Sequence, residues 1–189
     1  MSSGSSRSEN PPIRLHLQSG YFAQEFSGVA GSSADKLTGY HYTVGAYYGI
    51  GYWDIGAQYS MLQGITISPF IFSNGSQGDY KIDVKRIQLL TGPKSPRWRA
   101  HLIVGQETAA WSGTPDLGSK VRSDIYFGGK ISYDLFKRTG IGTKFSFPLE
   151  LLALYHGARE YQFTNYPNET VTVNAGFETQ FNLGVAFDF

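Results

Sequence analysis

Ionisable side chains recur at alternate positions along this chain, opposite apolar ones. We predict that these polar residues share one face of their segments and meet in a common interior: Arg14, His16, Asp54, Lys81, Asp83, Arg99, His101, Glu107, Arg122, Asp124, Lys130, Lys144, Glu150 and Glu178. A lone charge is costly away from water, whereas cations and carboxylates that pair are tolerated there. The pattern therefore predicts a network of buried ion pairs.

The histidines raise the question of metal binding. His16, His41, His101 and His156 all fall on the polar face, but a metal site needs several ligands to converge with defined geometry. His16 and His101 lie toward one end of their segments, and His41 and His156 toward the other. We interpret all of them as members of a hydrogen-bonded interior network, and we expect neither a metal nor a cofactor.

Alternation with a period of two predicts β-strands as the elements that position these residues. Eight segments carry it: residues 13–26, 38–48, 52–67, 79–91, 97–110, 121–135, 141–155 and 171–189. The last alternates without a slip, and its length exceeds the roughly 9–11 residues that a strand needs to cross a bilayer. In the fourth segment the apolar residues change face at Arg86, which predicts a β-bulge there or two apolar residues in the interior.

Composition and connections predict how these strands assemble. The connections alternate between long (27–37, 63–78, 111–120, 157–169) and short (49–51, 92–96, 137–140), which is typical of an even-stranded up-and-down barrel. Charged residues make up only 16% of the chain, and its net charge of +1 gives no reason to expect nucleic-acid binding. We predict an all-β, eight-stranded antiparallel transmembrane barrel with both termini in the periplasm.

Large aromatic residues near the strand ends favour a membrane barrel over a soluble one with an apolar cavity. We predict that they form girdles at the two interfaces, and these residues are Trp53, Trp98, Trp111, Tyr40, Tyr42 and Tyr59. Residues 1–12 are rich in Ser, Gly and Pro, which predicts a disordered leader or an expression remnant, with 13–189 as the barrel domain. A native signal peptide would then have been removed or replaced.

The C-terminal residues carry a family resemblance. Asn182, Gly184, Phe187 and Phe189 have the spacing of the outer-membrane assembly signal, which the bacterial barrel-assembly machinery recognises. The chain after Pro12 resembles small barrels of the OmpA/OmpX/OmpW type. The resemblance implies a place in the outer membrane of a Gram-negative bacterium, contact with its lipids and lipopolysaccharide, and assembly by that machinery.

Some barrels of similar size are enzymes that modify lipid A, so an enzymatic function is an alternative. The lipid A deacylase family needs a His-x-Ser pair with an acid, in which the base activates the hydroxyl. The nearest match is residues 154–158, Leu-Tyr-His-Gly-Ala, which lacks the serine. The lipid A palmitoyltransferase family begins with an amphipathic helix, which the polar leader does not offer. We therefore predict that the chain is not an enzyme, and keep a lipid A-modifying activity as an alternative.

The long loops suggest where a function would reside. They carry aromatic residues of a kind common at binding surfaces, namely Phe70, Phe72, Tyr161, Phe163 and Tyr166. We hypothesise a structural or surface-interaction role, in which these residues bind lipopolysaccharide, a cell surface or a membrane-protein partner. In a competing interpretation the same aromatics pack on one another and cap the barrel. A narrow channel or a transporter of hydrophobic solutes is a further alternative.

Overall fold

The computed structural model describes residues 13–25, 36–72, 75–118, 122–139, 144–173 and 175–189, so the predicted leader lies outside the described residues. The strands are β1 (Ile13–Glu25), β2 (Lys36–Ile50), β3 (Trp53–Ile71), β4 (Gln77–Pro93), β5 (Trp98–Thr114), β6 (Arg122–Thr139), β7 (Lys144–His156), β8 (Arg159–Gln162), β9 (Thr170–Val173) and β10 (Gly176–Asp188). In the described part of the chain, no helix is long and apolar enough to cross a membrane.

Eight of these strands form a closed antiparallel barrel in the order β1-β10-β7-β6-β5-β4-β3-β2, as predicted. The last strand closes on the first, with Arg14 opposite Asp188 and Gln24 opposite Glu178. The barrel end that holds the termini and the β2–β3 and β4–β5 turns is called the short-turn rim below, and the opposite end the loop rim. The β2–β3 turn passes through Gly51, whose φ of 58° favours glycine.

One predicted strand is divided. The segment 171–189 was expected to be a single wall strand, but β9 pairs with β8 in a separate two-stranded sheet and β10 begins at Gly176. The alternation does not reveal the break, because Val173 is buried above the barrel while Phe177 and Phe181 point outward from it. Both environments take apolar side chains, so the sequence pattern is continuous across two different elements.

The predicted irregularity at Arg86 is also wrong. Burial alternates strictly along all of β4, with Ile87 exposed on the outer face and Arg86 inside. The strand is regular, but the polarity of its two faces changes along its length. Toward the loop rim the outer face carries Lys81 and Asp83, whereas Ile82 is buried inside. Register shifts occur elsewhere, in β3 between Leu62 and Ile65 and between Ile67 and Phe70, and in β6 between Asp134 and Lys137.

The outer face of the barrel is an apolar belt. Leu102 is 71% exposed and Ile125 64%, and their neighbours on the other strands are similarly uncovered. A surface of this extent would be an aggregation liability in water, whereas a lipid bilayer requires it. Toward the loop rim, β4 leaves the belt and its outer face becomes charged. That part, with the ends of β3 and β5, the 115–118 loop and residues 157–173, is called the projection below.

Candidate functional site: the filled lumen and its cap

Charged side chains fill the lumen in layers, of which the lower layer is nearest the short-turn rim. It consists of Arg14, Lys94, Arg99, Asp54, Asp134 and Asp188. Arg14 donates from Nη2 to Oδ1 of Asp134 at 2.6 Å, and its Nη1 lies 3.2 Å from Oδ1 of Asp188. Arg99 bridges Asp134 at 3.0 Å and Asp54 at 3.2 Å. These ion pairs thereby connect residues from opposite walls across this end of the lumen.

The middle layer is built around Lys130. Its Nζ lies 3.1 Å from Oε2 of Glu150, and it also donates to the hydroxyl of Tyr47. The Tyr47 ring stacks on His101 at a centroid distance of 5.0 Å and meets His16 edge-on at 4.9 Å. An ammonium group that donates to several oxygens in this way is compensated for the water it has lost.

The upper layer is a bridge through Arg86. Its Nε donates to Oε2 of Glu107 at 2.8 Å, while Nη1 and Nη2 donate to both oxygens of Glu178 at 2.6 and 2.7 Å. Arg159, the first residue of β8, pairs with the remaining oxygen of Glu107. His156 approaches Glu178 at 3.3 Å. This layer therefore ties the β8–β9 hairpin to four barrel strands, β4, β5, β7 and β10.

The buried charges balance. Among the described residues the buried cations are Arg14, Arg86, Lys94, Arg99, Lys130 and Arg159, and the buried carboxylates are Asp54, Glu107, Asp134, Glu150, Glu178 and Asp188. The balance also holds within each layer. A lumen of this kind has no net charge with which to attract ions of one sign, in contrast to a pore lined by one sign of charge.

Glycines on the inward face leave room that aromatic rings occupy. A side chain at Gly56 would collide with the ring of Tyr47, one at Gly105 with the ring of Tyr126, and one at Gly45 with His16. The glycine-rich strands therefore leave no corridor at these positions. This packing weighs against the alternative of a narrow channel.

A small apolar cluster of Tyr47, Leu90, Ile103, Tyr126, Leu152 and Leu154 packs within the charged lumen. Above the upper layer the interior is apolar throughout a larger cluster. A cap cluster is formed by Phe22, Leu62, Phe72, Tyr80, Ile82, Val84, Ala109, Trp111, Leu117, Tyr161, Phe163 and Val173. Trp111 meets Tyr161 and Phe163 at centroid distances of 5.3 and 5.5 Å, and Phe72 stacks on Tyr166 at 4.8 Å. Burial raises the pKa of the Tyr161 phenol above its usual value. The projection thus has an ordinary apolar core with a polar exterior.

The loop aromatics therefore do not form an exposed patch. Phe72, Tyr161 and Phe163 are 2%, 5% and 2% exposed, and Tyr166 is partly buried against them, so the competing interpretation of a cap describes their packing. The side chain of Phe70 lies outside the described residues. Trp111, expected in a girdle, is inside the same cluster, because at its height the surroundings of the barrel are no longer apolar.

Most residues predicted for the lumen lie inside it, with two corrections. The structure buries Arg14, His16, Asp54, Arg99, His101, Glu107, Lys130, Glu150 and Glu178. Lys81 and Asp83 are exposed on the outside of the projection, where water can solvate them, so their predicted placement is wrong. Arg122 and Asp124 are half-buried at the loop rim and pair at 3.0 Å, and Lys144 is half-buried at the short-turn rim.

The histidines follow the predicted heights but differ in their contacts. His101 approaches Asp54 at 3.6 Å and His156 approaches Glu178, whereas His16 and His41 pack against aromatic rings. Within the described ranges, no three His, Asp or Glu side chains are arranged to hold a metal ion.

The remaining predicted groups are found at the barrel surface and its end. Tyr40, Tyr42 and Tyr59 are exposed toward the loop rim, and Trp53 and Trp98 toward the short-turn rim. Of the proposed assembly signal, Asn182 is buried in the lumen and Gly184 packs against β1, while Phe187 and Phe189 are 43% and 50% exposed on the outside. The role of this signal in assembly stays a prediction.

Sequence reasoning omitted several residues that hold the lumen together, namely Arg86, Lys94, Asp134, Arg159 and Asp188. Arg86 could have been found by continuing the alternation of β4 without a bulge. Asp188 falls between Phe187 and Phe189 in the same alternation. Arg159 had no signal, because it enters the lumen from a hairpin that lies outside the barrel wall.

Comparison with known proteins rests on structure. No protein-family model matches the chain, and no curated protein matches it either. Neisserial surface protein A (NspA) superimposes with a TM-score of 0.51 and 14% identity, over 94% of this chain and 97% of that one. Ail, the attachment invasion locus protein of Yersinia pestis, gives 0.50 and 11%, over 93% and 98%. The chain has the fold of the small eight-stranded outer-membrane barrels.

Proposed function

We propose that the chain is an integral protein of a bacterial outer membrane, that its lumen does not conduct, and that it acts through the outer surface of the projection. The observation that carries the proposal is that the polarity of the inner and outer faces is reversed along the barrel axis. Inside the belt the lumen holds all twelve buried charges of the described residues around one small apolar cluster, whereas the projection is apolar inside and polar outside. Such a reversal is expected where a barrel leaves lipid and continues into water.

The ordered loops of the projection support a role in binding. Tyr80 donates its hydroxyl to the carbonyl oxygen of Pro115 at 2.8 Å, and Asn165 donates to that of Asp116 at 3.0 Å. Arg159 anchors the β8–β9 hairpin in the lumen. Because these contacts order the loops before any partner arrives, binding would cost little further conformational entropy.

The charge of the projection narrows the class of partner. Its exposed or half-buried carboxylates in the described ranges are Asp79, Asp83, Asp116, Glu160 and Glu169, whereas its corresponding cations are Lys81 and Lys85. An excess of carboxylates disfavours phosphate groups and favours a basic or hydroxyl-rich surface. We therefore propose contact with such a surface on a protein or a cell, rather than with the phosphates of lipopolysaccharide. The names of NspA and Ail refer to the surface and to attachment, which makes attachment the activity to test first.

Attachment is tested with Gram-negative cells that display the barrel. We expect adhesion to epithelial monolayers to fall when Asp83→Asn, Asp116→Asn and Glu160→Gln are combined. The matched variant Lys81→Gln/Lys85→Gln should preserve or raise adhesion, because it leaves the carboxylates in place. Equal adhesion of both variants and the parent would contradict the proposal. Stronger binding of purified lipopolysaccharide by the parent than by the lysine variant would point to the phosphates instead.

Conductance provides an independent test. In planar bilayers the purified barrel should give no steps above those of the bare membrane, with a general porin as positive control. Regular openings would show that the paired charges leave a continuous water path. Such a result would refute the closed lumen while leaving the surface role open to its own test.

A further inference from the structure

A groove of about 440 Å³ crosses the outer face of the barrel over β4, β5, β6 and β7. Small residues along its length make it concave, namely Thr91, Ala100, Gly129 and Ala153. In the sheet Gly129 stands opposite Leu102 on one side and Ala153 on the other. A row of small side chains between larger ones creates a depression in an otherwise filled belt. Its volume falls within the range of ordinary ligand sites, which is about 300–1,000 Å³.

The short-turn end of the groove is held in place. Trp53 lines it, and its indole Nε1 donates to Oγ1 of Thr91 at 2.7 Å. The indole of a membrane protein ordinarily finds a polar partner at the interface. Here the neighbouring strand supplies that partner, so the ring can lie against an apolar surface with its donor satisfied. The end of the groove is thus ordered without a ligand.

The groove lies at the depth of the hydrocarbon layer. It begins at the short-turn girdle with Trp53 and extends to Ala153, two residues along β7 from the exposed Tyr155. Its sides include Ile131 and Leu151, which are 52% and 58% exposed. The side chains of His101 and Lys130, which also line it, are buried in the lumen. What faces the membrane is therefore apolar along the whole length.

We propose that this groove seats one acyl chain of a phospholipid from the leaflet at the short-turn rim, with Trp53 at the head-group end. The inference rests on the proposed place of the barrel in a membrane. Since lipid and protein are equally apolar there, the fit of van der Waals surfaces decides what binds. A second copy of the chain fits poorly, because a two-fold interface would set the same concave surface against itself.

Quenching of tryptophan fluorescence by bromine-labelled lipid tests whether an acyl chain occupies the groove. The barrel is placed in phosphatidylethanolamine/phosphatidylglycerol bilayers containing lipids brominated in the acyl chains, with Trp98→Phe so that Trp53 reports alone from the belt. Trp111 stays in the cap, away from lipid. We expect brominated lipid to quench Trp53 more strongly than random contact with bulk lipid would, because an acyl chain in the groove lies against the indole.

Gly129→Leu fills the groove without disturbing the wall. The nearest atom to an added Cβ is the carbonyl oxygen of His101 at 3.8 Å, an ordinary contact. This variant should reduce the quenching of Trp53 to that expected from bulk lipid. The control Ala46→Leu adds the same kind of side chain to the belt on β2, outside the groove, and should leave the quenching unchanged.

The outcomes separate the inference from the proposed function. If bulk lipid accounts for the quenching of Trp53 and Gly129→Leu does not change it, the proposed lipid site is refuted and membrane insertion is not. No quenching in any variant would refute insertion itself. Protection of Trp53 from brominated lipid in the parent, relieved by Gly129→Leu and accompanied by crosslinked dimers, would replace the lipid with a second copy.

Discussion

Replacing Arg86 with methionine removes the guanidinium that bridges Glu107 and Glu178 and keeps a side chain of similar length. Arg86 is 1% exposed, and it makes a bidentate pair with Glu178 and a further bond to Glu107. Arg159 remains beside Glu107, so Glu178 is the carboxylate left without its main partner. Breaking a buried pair from one side costs about 3–5 kcal/mol, because a buried charge stays uncompensated. We expect a loss of unfolding free energy in that range.

Two variants make the magnitude interpretable. Adding Glu178→Gln to Arg86→Met removes the orphaned charge, and should recover most of the loss because uncharged replacements of buried pairs are often tolerated. Arg122→Met breaks the pair with Asp124, whose side chains are 35% and 22% exposed. That change should cost only about 0–1 kcal/mol, because water screens the pair.

The free energy of unfolding is measured by urea titration of the barrel in phospholipid vesicles, followed by tryptophan fluorescence and by the heat-modifiable gel band. We expect Arg86→Met to unfold at a clearly lower urea concentration than Arg122→Met. If the two variants unfold together, or if Glu178→Gln worsens the loss, the upper layer is not a compensated buried network.

Further changes probe the lumen, cap, belt and C-terminus. Gly105→Leu forces a side chain into the ring of Tyr126 and should cost about 1–3 kcal/mol in urea titrations, whereas outward Gly129→Leu should be nearly neutral. Trp111→Ala empties the cap and should cost about 3–5 kcal/mol by the same measurement, with the barrel still inserted. Leu102→Lys places a charge in the belt and should cost about 2–4 kcal/mol if the residue lies near the bilayer midplane. Deleting Phe189 should reduce insertion in cells, seen as outer-membrane yield, more than the stability of the refolded barrel; equal losses would leave it a structural role only.

Within the belt, the sequence was sufficient to predict the architecture. Alternation along β1, β2 and β5 assigns each side chain to the lipid or the lumen without reference to any other strand. The period of two is a property of the extended backbone, and the two solvents on either side of the wall select different residue types. Strand number and direction then follow from the alternation of short and long connections.

Above the belt, the assumption that apolar side chains face outward led to wrong predictions. The change of face in β4 predicted a bulge or two apolar residues in the lumen, because the outer surroundings were assumed constant. In the projection the interior is the apolar side, so Ile82 and Val84 face inward by the same unbroken alternation that puts Lys81 and Asp83 outside. The loop aromatics were left open between a cap and an exposed patch for the same reason, since alternation cannot distinguish the two.

The amino-acid sequence thus determines, by itself, the strands, their apolar face and the presence of opposite charges on the other face. Only the tertiary structure decides which charges meet, as Arg86 and Glu178 do across 92 positions of sequence, and that Arg159 enters the lumen from a separate hairpin. It also decides that small residues on four strands align into one groove. The physical reason is that these contacts depend on barrel closure and on strand register between distant segments, which no local pattern encodes.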